Sequence, residues 1–424
     1  MKRRFNSRLV VWGALMAATA LAARLAILGA LAAATTLTVV AASADETTGI
    51  TDKTIKIGNI MPYSGPASAY SQIAKTDVAY MKMLNDNGGV CGRQIDFISY
   101  DDGYSPPKAV EQARKLVESD QVALIFNSLG TPSNSAIQKY MNAKKTPQLF
   151  VATGASKFGD PKHFPWTMGW QPDYVSEGKI YARYLLKNIP EAKIGVLYQN
   201  DDYGKDYLNG LKAGLGDKAS SMIVAEQPYE TSDPTVDSQM VNLKGSGATV
   251  FFNVATPKFA AQAIKKAAEL GWKPTQLLNS VSNSVGAVLK PAGLDASKGV
   301  VSALYLKDSQ DPQWKDDEGM KKWNAFMDKY YPDGDKNSSF TIYGYAVSQT
   351  LEKVLKASCG DFTHSGIMKS AASMKDVELD LTPPGIRVNT SATDFYPLQD
   401  MQLIKFDGKR WEAFGDVVSG ADTQ

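Results

Sequence analysis

Apolar and polar residues recur along the chain with two periods, and segments of each period follow one another in turn. Residues 55–61 alternate with the two-residue period of a β-strand. Residues 69–85 have the apolar spacing of an amphipathic helix, which ends at Asn87-Gly88-Gly89. The two-residue period also predicts strands at 94–100, 122–126 and 148–151. The helical spacing predicts one helix that begins at Pro107 and another at 133–143. Repeated βαβ units favour a parallel sheet with helices on both faces.

A second series of helices and strands begins after Pro172. The same periodicities predict helices at 174–188, 205–215, 236–244 and 257–270, and strands at 193–198, 222–226, 249–253, 276–278 and 299–306. We place the seam between the two α/β units near Gly169–Pro172. Three further helices, at 314–331, 340–356 and 365–374, precede a β-like tail that spans 386–414. We expect these helices to return and cover the first sheet, which would make both lobes discontinuous.

The first 44 residues have the composition of a secretory signal peptide. They hold five basic residues and no acidic one, then a long Ala/Leu-rich run that ends at Ala42-Ser43-Ala44. Because Arg24 interrupts the apolar run, a start at Met16 fits this pattern better. Removing residues 1–44 leaves 41 basic against 44 acidic residues, a net charge of about −3. This balance argues against nucleic acid as a partner, and we expect a protein of the periplasm without a membrane-spanning helix.

Two cysteines, Cys91 and Cys359, each follow a predicted helix. In an exported protein such a pair is readily oxidised, and a disulfide that closes a loop of 268 residues would stabilise the fold by roughly 5 kcal/mol at most. Two unrelated free thiols are the alternative. Because His163 and His364 are the only histidines, we expect no metal site.

Common enzyme signatures are absent from the sequence. It contains no G-x-S-x-G nucleophile elbow, no G-x-x-x-x-G-K-[ST] phosphate loop and no G-x-G-x-x-G dinucleotide fingerprint. The acidic pairs Asp101-Asp102 and Asp201-Asp202 are typical of solvated turns and helix caps. We therefore predict a protein that has neither catalytic residues nor a cofactor.

Five short polar loops follow predicted strands and open helices, which is where α/β sheets bind ligands. The free N–H groups at such helix starts can bind a carboxylate or another anion, although routine helix capping is the alternative for any single loop. The loops span residues 61–66, 127–132, 152–156, 199–204 and 253–257. Their shared position at the carboxyl ends of strands predicts a ligand cleft.

Three segments have a family resemblance: Gly88–Arg93, the stretch from Tyr100 through Pro107 to Leu116, and Tyr198–Lys205. They resemble type I periplasmic solute-binding proteins of ABC importers, in particular the leucine/isoleucine/valine receptors, and the resemblance extends from about Ile55 to Phe414. It implies two Rossmann-like lobes joined by a three-stranded hinge, a small-molecule solute trapped between them, and docking on an inner-membrane ABC permease.

The resemblance also implies lobe boundaries. We expect the first lobe at 54–171 with a return at 301–380, and the second lobe at 172–300 with a return at 381–424. We expect the protein to be a monomer.

Ligand positions follow from the resemblance loop by loop. In such receptors the loops after the third and fourth strands bind the ligand carboxylate, and here these are Leu129, Gly130 and Thr131, then Thr153, Gly154 and Ala155. Tyr203 matches an aromatic side chain of the second lobe that closes over the ligand. Ala255 lies in the last of the five loops.

The chain departs from the amino acid receptors where those proteins bind the ligand ammonium with acidic side chains. Alignment places Val281 and Tyr174 at those positions, and a shift of one residue leaves Asp173 as the only nearby acid. An ammonium buried without a partner is strongly unfavourable.

Aromatic side chains are expected to form the walls of the pocket: Tyr70, Trp170, Tyr174 and Tyr203. We predict that the solute is an aromatic or otherwise amine-free carboxylate. A receptor for branched-chain or other amino acids or amides is the first alternative, and a secreted enzyme on the same scaffold is the second.

Overall fold

The computed structural model describes residues 46–420, so the predicted signal peptide lies outside the described residues. Within that range the strands are β1 Thr54–Met61, β2 Gln94–Asp101, β3 Leu124–Phe126, β4 Gln148–Val151, β5 Thr167–Gly169, β6 Ile194–Gln199, β7 Ile223–Tyr229, β8 Val250–Val254, β9 Thr275–Leu278, β10 Val301–Leu304, β11 Asp400–Phe406 and β12 Trp411–Ser419.

The longer helices are α1 Ser71–Asp86, α2 Pro106–Arg114, α3 Thr131–Lys144, α4 Tyr174–Asn188, α5 Asp202–Leu215, α6 Asp237–Gly245, α7 Pro257–Glu269, α8 Glu318–Tyr330, α9 Ser339–Ala357 and α10 His364–Ala371. Shorter helical turns lie at Ser68–Tyr70, Lys115–Ser119, Ser156–Gly159, Gly216–Lys218, Ala219–Met222, Ser280–Ser282, Val285–Leu289, Lys290–Ala292, Leu294–Ser297 and Pro312–Trp314.

Helix starts in this fold are fixed by local chemistry. Asp173 caps α4, because its carboxylate accepts a hydrogen bond from the Ser176 amide at 2.8 Å. Asp201 caps α5 in the same way through the Gly204 amide, as expected for the acidic pair at 201–202. Both caps orient helices that follow directly on loops of the ligand cleft.

The first sheet has five parallel strands in the order β2-β1-β3-β4-β5. β1 pairs with β2 from Thr54↔Gln94 to Met61↔Asp101, and with β3 at Ile57↔Leu124. Because all five strands point the same way, the loops that follow β1, β3 and β4 meet at one edge of the sheet.

The second sheet has seven strands in the order β12-β11-β10-β9-β8-β6-β7. Its strands β6 to β10 are parallel, whereas β11 runs antiparallel to β10 with Leu304 opposite Gln402. This pairing corrects the expected boundary at residue 300, because the strand assigned to the return of the first lobe belongs to the second sheet. The β-like tail forms strands only from Asp400 onward.

The chain passes between the sheets three times: after Gly169, after Leu304 and before Asp400. The returning helices α8 and α9 pack on α1 of the first lobe, as expected. Tyr80 on α1 lies edge-on to Tyr345 at 5.2 Å between ring centroids and tilted against Phe326 at 5.8 Å. The lobes are therefore discontinuous in sequence, and the fold is α/β with two Rossmann-like lobes.

A disulfide joins two distant segments of the first lobe. Cys91 follows α1 and Cys359 follows α9, and their Cα atoms are 5.9 Å apart. This separation lies within the usual range for a disulfide. The bond links the C-terminal end of the returning helix α9 to the segment that follows α1, near the start of the first lobe in the sequence.

Candidate functional site

A cavity of about 90 Å³ lies between the two sheets, lined by residues of both lobes. The structure brings eight of the twelve predicted ligand residues into its wall: Tyr70, Leu129, Gly130, Thr131, Thr153, Tyr174, Tyr203 and Val281. Six tyrosines, Phe340 and Trp411 contribute aromatic rings to the wall.

The loops after β3 and β4 form one corner of the cavity. Two predicted backbone donors are used within the fold, since the Leu129 amide donates to Ile60 at 3.0 Å and the Gly130 amide to Ala152 at 3.3 Å. The side-chain oxygens of Thr131 and Thr153 lie 2.6 Å apart. The Thr131 amide, at the start of α3, has no hydrogen-bond partner in residues 46–420. Because one of these hydroxyls donates to the other, the corner offers one hydroxyl proton and one open amide to an anion.

The hydroxyl of Tyr174 reaches into the same corner. It accepts a hydrogen bond from Gln171 Nε2 at 3.0 Å and lies near the Thr153 hydroxyl and the Gly154 amide. Burial raises the pKa of Tyr174, and the bonds from Thr153 and Gly154 oppose that rise. Only glycine fits at 154, because a Cβ there would lie 2.7 Å from the Tyr174 ring. Tyr174 thus covers Gly154 and adds a hydroxyl to the wall.

Four predicted residues lie behind the wall rather than in it: Gly154, Ala155, Trp170 and Ala255. Trp170 is fully buried, donates from Nε1 to Thr350 Oγ1 at 3.0 Å and stands edge-on to Tyr343, 4.8 Å between centroids. The Ala255 carbonyl accepts from the Ser282 hydroxyl at 2.6 Å. These residues support the wall without facing the ligand space.

Several aromatic wall residues were not predicted from the sequence: Tyr104, Tyr305, Phe340 and Tyr343. Phe340 and Tyr343 lie three residues apart on α9, so their spacing on one helix face was a usable signal. Gly130 has a φ of 101°, and a Cβ there would lie 2.5 Å from the Tyr104 ring. Glycine at 130 is therefore what admits Tyr104 to the wall.

Two tyrosine hydroxyls in the wall are buried and have no hydrogen-bond partner in residues 46–420: Tyr203 Oη and Tyr343 Oη. Buried polar atoms are normally satisfied, and a bound molecule in the cavity would satisfy these two. Behind them, the Tyr229 hydroxyl is bonded to Gln199 Oε1 at 3.0 Å and accepts from the Thr256 amide at 2.9 Å.

Glu177 on α4 is a buried acid that is hydrogen-bonded to Ser280, a residue of the cavity wall. Its Oε1 receives the Ser280 amide and the Tyr181 hydroxyl, both at 2.8 Å, and its Oε2 receives the Ser280 and Tyr207 hydroxyls, both at 2.7 Å. Burial raises the pKa of Glu177, and hydrogen bonds from Tyr207, Ser280 and Tyr181 oppose that rise. Because each oxygen has two protein partners, this carboxyl offers no free acceptor to a ligand.

The acid that does line the cavity is Asp308, in the segment after β10. Asp173, predicted as the only nearby acid, instead caps α4 and accepts from the Ser156 hydroxyl. Lys307 also contributes to the wall, but its ammonium is bonded to Asp317 at 2.7 Å and to the Asp380 carbonyl at 2.9 Å. Asp173 was the only nearby acid considered from the sequence, and the structure adds Asp308 to the cavity wall.

Hydrogen bonds cross between the lobes around the cavity. The Tyr70 hydroxyl donates to the Val281 carbonyl at 3.1 Å, and Gln199 Nε2 donates to the Tyr104 hydroxyl at 3.3 Å. Further out, the Ser156 amide donates to Asp206 at 2.9 Å. Burial raises the pKa of Asp206 to about 6, although the Ser156 bond lowers it. These contacts hold the two lobes closed on the cavity.

Two α/β lobes closed on an aromatic cavity define a two-lobed solute-binding protein. The sequence matches the periplasmic binding protein family over residues 54–410, and the chain belongs to that family. Members of this family bind solutes without transforming them, and the match confirms the family predicted from the sequence. Within residues 46–420, no helix is both long enough and apolar enough to cross a bilayer.

Named relatives agree on the type of protein. Leu/Ile/Val-binding protein homolog 7 of Brucella abortus (strain 2308) is 22% identical over 78% of this chain and 84% of its own length. Homolog 1 of the same strain is 25% identical over 72% of this chain and 78% of its own length. Both relatives are named as Leu/Ile/Val-binding protein homologs, and this chain is similar to them over most of its length.

Solved structures share the fold. A branched chain amino acid ABC transporter protein from Thermus thermophilus with bound valine superposes with a TM-score of 0.78 at 15% identity, covering 88% of this chain and 98% of that one. A fatty acid ABC transporter substrate-binding protein from Thermomonospora curvata gives 0.75 at 22% identity, covering 88% and 94%. The two names differ in the kind of solute, so the fold alone leaves the solute open.

Proposed function

We propose that this protein is the periplasmic substrate-binding subunit of an ABC importer, and that as a monomer it closes its lobes around a small aromatic or otherwise amine-free carboxylate. Family membership and the cavity between the lobes support this function. The three segments that cross between the sheets would act as the hinge. Small-angle scattering is expected to show a smaller radius of gyration with ligand than without, and an unchanged radius would contradict lobe closure.

The carboxylate of the solute would bind at the corner formed by Thr131 and Thr153. The open Thr131 amide lies at the start of α3, where the helix dipole favours an anion. Each charge-assisted hydrogen bond to a carboxylate contributes about 1.5–3 kcal/mol. Two such bonds, from one threonine hydroxyl and the Thr131 amide, would fix the acidic end of the solute.

The observation that carries the amine-free assignment is the Glu177 network. An α-amino acid has its ammonium one carbon away from its carboxylate, so the ammonium would lie beside the Thr131 corner. There the wall presents the Tyr174 hydroxyl, while both Glu177 oxygens are used by protein donors. An α-ammonium would therefore be buried without a carboxylate partner.

The body of the solute would be aromatic. Burying a phenyl-sized group of ~150 Å² among tyrosine rings gains about 4 kcal/mol at ~25 cal/mol/Å². Micromolar affinity needs about 8 kcal/mol, so the bonds to the carboxylate would supply the remainder.

Isothermal titration calorimetry on ligand-stripped protein tests this proposal with benzoate, phenylacetate, their amides and leucine. We expect the acids to bind at least tenfold more tightly than the amides and than leucine. Thr131→Val should weaken binding of the acids about tenfold, whereas Thr235→Val, an exposed threonine outside the cavity, should leave it unchanged. Leucine binding more tightly than every acid would overturn the assignment.

An amino acid receptor is the second candidate. The names of the Brucella relatives and the bound valine of the Thermus neighbour favour it. The same titration decides between the two, since leucine or phenylalanine would then bind more tightly than the amine-free acids.

A further inference from the structure

Asp308 has an unusual environment for an acidic side chain in a cavity wall. Its Oδ1 accepts a hydrogen bond from the Gln310 amide at 3.1 Å, and the Trp411 amide lies near the carboxylate. Its Oδ2 is buried and has no hydrogen-bond partner in residues 46–420. One carboxylate oxygen of this wall residue is therefore buried without a protein donor.

The neighbours of Asp308 in the wall do not supply a partner. Leu304, Ile404 and Trp411 belong to the second sheet, and their side chains are apolar apart from the Trp411 indole N–H, which donates to the Asn283 carbonyl at 2.9 Å. The adjacent Lys307 turns its ammonium to Asp317 and Asp380 and over the Trp314 ring, 5.1 Å from its centroid. No cation within the described chain thus pairs with Asp308.

A buried carboxylate oxygen without a donor is unfavourable unless something binds it. Asp308 follows β10 on the segment that leads back to the first lobe, whereas the Thr131 corner follows β3. No hydrogen bond joins Asp308 to that corner. A solute that fills the cavity would therefore meet Asp308 with a different group from the one that it presents to Thr131.

We infer that Asp308 accepts a hydrogen bond from a donor group of the bound solute, a hydroxyl or an ammonium, at a position remote from its carboxylate. This inference rests on the proposed carboxylate site and narrows the substrate class to acids that carry a second, donating substituent. A hydroxyl donor keeps the solute amine-free, whereas an ammonium donor would limit the amine-free assignment to the α position beside the Thr131 corner. Asp308 is then a specificity-determining residue. It selects among acids of similar size by whether they satisfy Oδ2.

Matched ligands test the role of Asp308. Benzoate, 4-hydroxybenzoate and 4-(aminomethyl)benzoate share one acidic end and differ in the donor at the other end. By calorimetry, we expect the wild-type protein to bind at least one of the two donor-bearing acids tenfold or more tightly than benzoate. Equal affinities for all three acids would overturn the inference without any variant.

Asp308→Asn distinguishes the two kinds of donor. The amide keeps an acceptor oxygen but no charge, so the preference for a hydroxyl should fall only a few-fold, whereas the preference for an ammonium should fall about a hundredfold. Benzoate affinity should stay within twofold. Asp311→Asn is the matched control, because Asp311 accepts a backbone N–H in a nearby turn and does not line the cavity.

Two failures are distinguishable. If Asp308→Asn leaves the ratio between donor-bearing acids and benzoate unchanged, the inference about Asp308 is wrong although acids bind. If 4-hydroxybenzamide binds as tightly as 4-hydroxybenzoate, the proposed carboxylate function is wrong, whatever Asp308 does.

Discussion

Asp77 in the first lobe and Glu177 in the second are both fully buried carboxyl groups, and the two are satisfied differently. Asp77 on α1 of the first lobe is fully buried and receives Asn127 Nδ2 at 2.8 Å and the Ser348 hydroxyl at 3.0 Å. Glu177 on α4 of the second lobe is equally buried but has four protein contacts, two on each oxygen.

The difference shows how the number of donors sets the role of a buried acid. Burial raises the pKa of Asp77 to about 8, and its two hydrogen bonds only partly oppose that rise, so Asp77 holds a proton at neutral pH. Glu177 instead organises hydroxyls from α4, α5 and the loop after β9. The first lobe thus buries a neutral structural group, whereas the second uses its acid to position residues beside the cavity.

The largest expected effect concerns Asp77. Between about pH 4 and pH 8 its carboxyl is ionised in the unfolded chain but protonated in the folded protein, so the free energy of unfolding should fall as pH rises. The total loss is about 5 kcal/mol at roughly 1.4 kcal/mol per pH unit. In urea titrations from pH 4 to pH 9, Asp77→Asn should remove the Asp77 contribution to this slope, while the contribution of Asp206, whose pKa is about 6, remains.

Asp295→Asn, on an exposed surface turn, is the control and should keep the wild-type slope. An Asp77→Asn variant with the wild-type pH dependence would show that Asp77 is ionised in the folded state, and the contrast with Glu177 would disappear.

Removing the disulfide should give the second largest loss of stability. The loss should be confined to the first lobe, where both cysteines lie. Replacing Cys91 and Cys359 by serine should lower the free energy of unfolding by about 4 kcal/mol, because the loop closed by the bond is long. Hydrogen exchange should show faster opening of α1 and α9 with little change in β6 and β8. Reductant should destabilise the wild-type protein but not the double variant; equal sensitivity of both proteins would contradict the prediction.

Glu177→Gln should destabilise the protein by about 3 kcal/mol at pH 7, since the glutamine amide would face hydroxyl and amide donors and leave them unsatisfied. Urea denaturation measures this change. Glu191→Gln replaces an exposed glutamate three residues before the start of β6 and should leave the free energy of unfolding unchanged. If Glu177→Gln left the free energy of unfolding unchanged, the network would not need a carboxylate.

The smallest effect compares two tyrosines of α5. Tyr207→Phe removes a hydroxyl that donates to Glu177 at 2.7 Å and should lower stability by about 1.5 kcal/mol. Tyr203→Phe removes a buried hydroxyl without a protein partner, so thermal melts should change little while ligand affinity falls several-fold. The reverse pattern would place the ligand contact at Tyr207.

Element order was predictable from sequence, but strand pairing was not. Periodicity located β4 and α4 at their observed bounds, because hydrophobic spacing is a local property. The sheet to which Val301–Leu304 belongs depends on its partners β9 and β11, which are distant in sequence. The three-residue strand β5 is too short to show any period.

The residues of the candidate site could likewise be predicted only in part. Thr131 and Thr153 were predictable, because loops at the carboxyl ends of parallel strands share one edge. Asp308 and Tyr343 reach the cavity from the segments that return after the second lobe, and local sequence does not show where those segments lead. Trp170 was expected at the ligand because it is aromatic, but its size and full burial make it a support for Tyr343.

The Cys91–Cys359 bond turns the chain between these residues into a covalent ring that contains strands β6 to β10 of the second lobe. A single proteolytic cut anywhere in that ring breaks the backbone without releasing a fragment. On a non-reducing gel the nicked protein would therefore migrate as one full-mass species, and two fragments would separate only after reduction. This topology gives the protein a tolerance to nicking that hydrogen bonds alone do not provide.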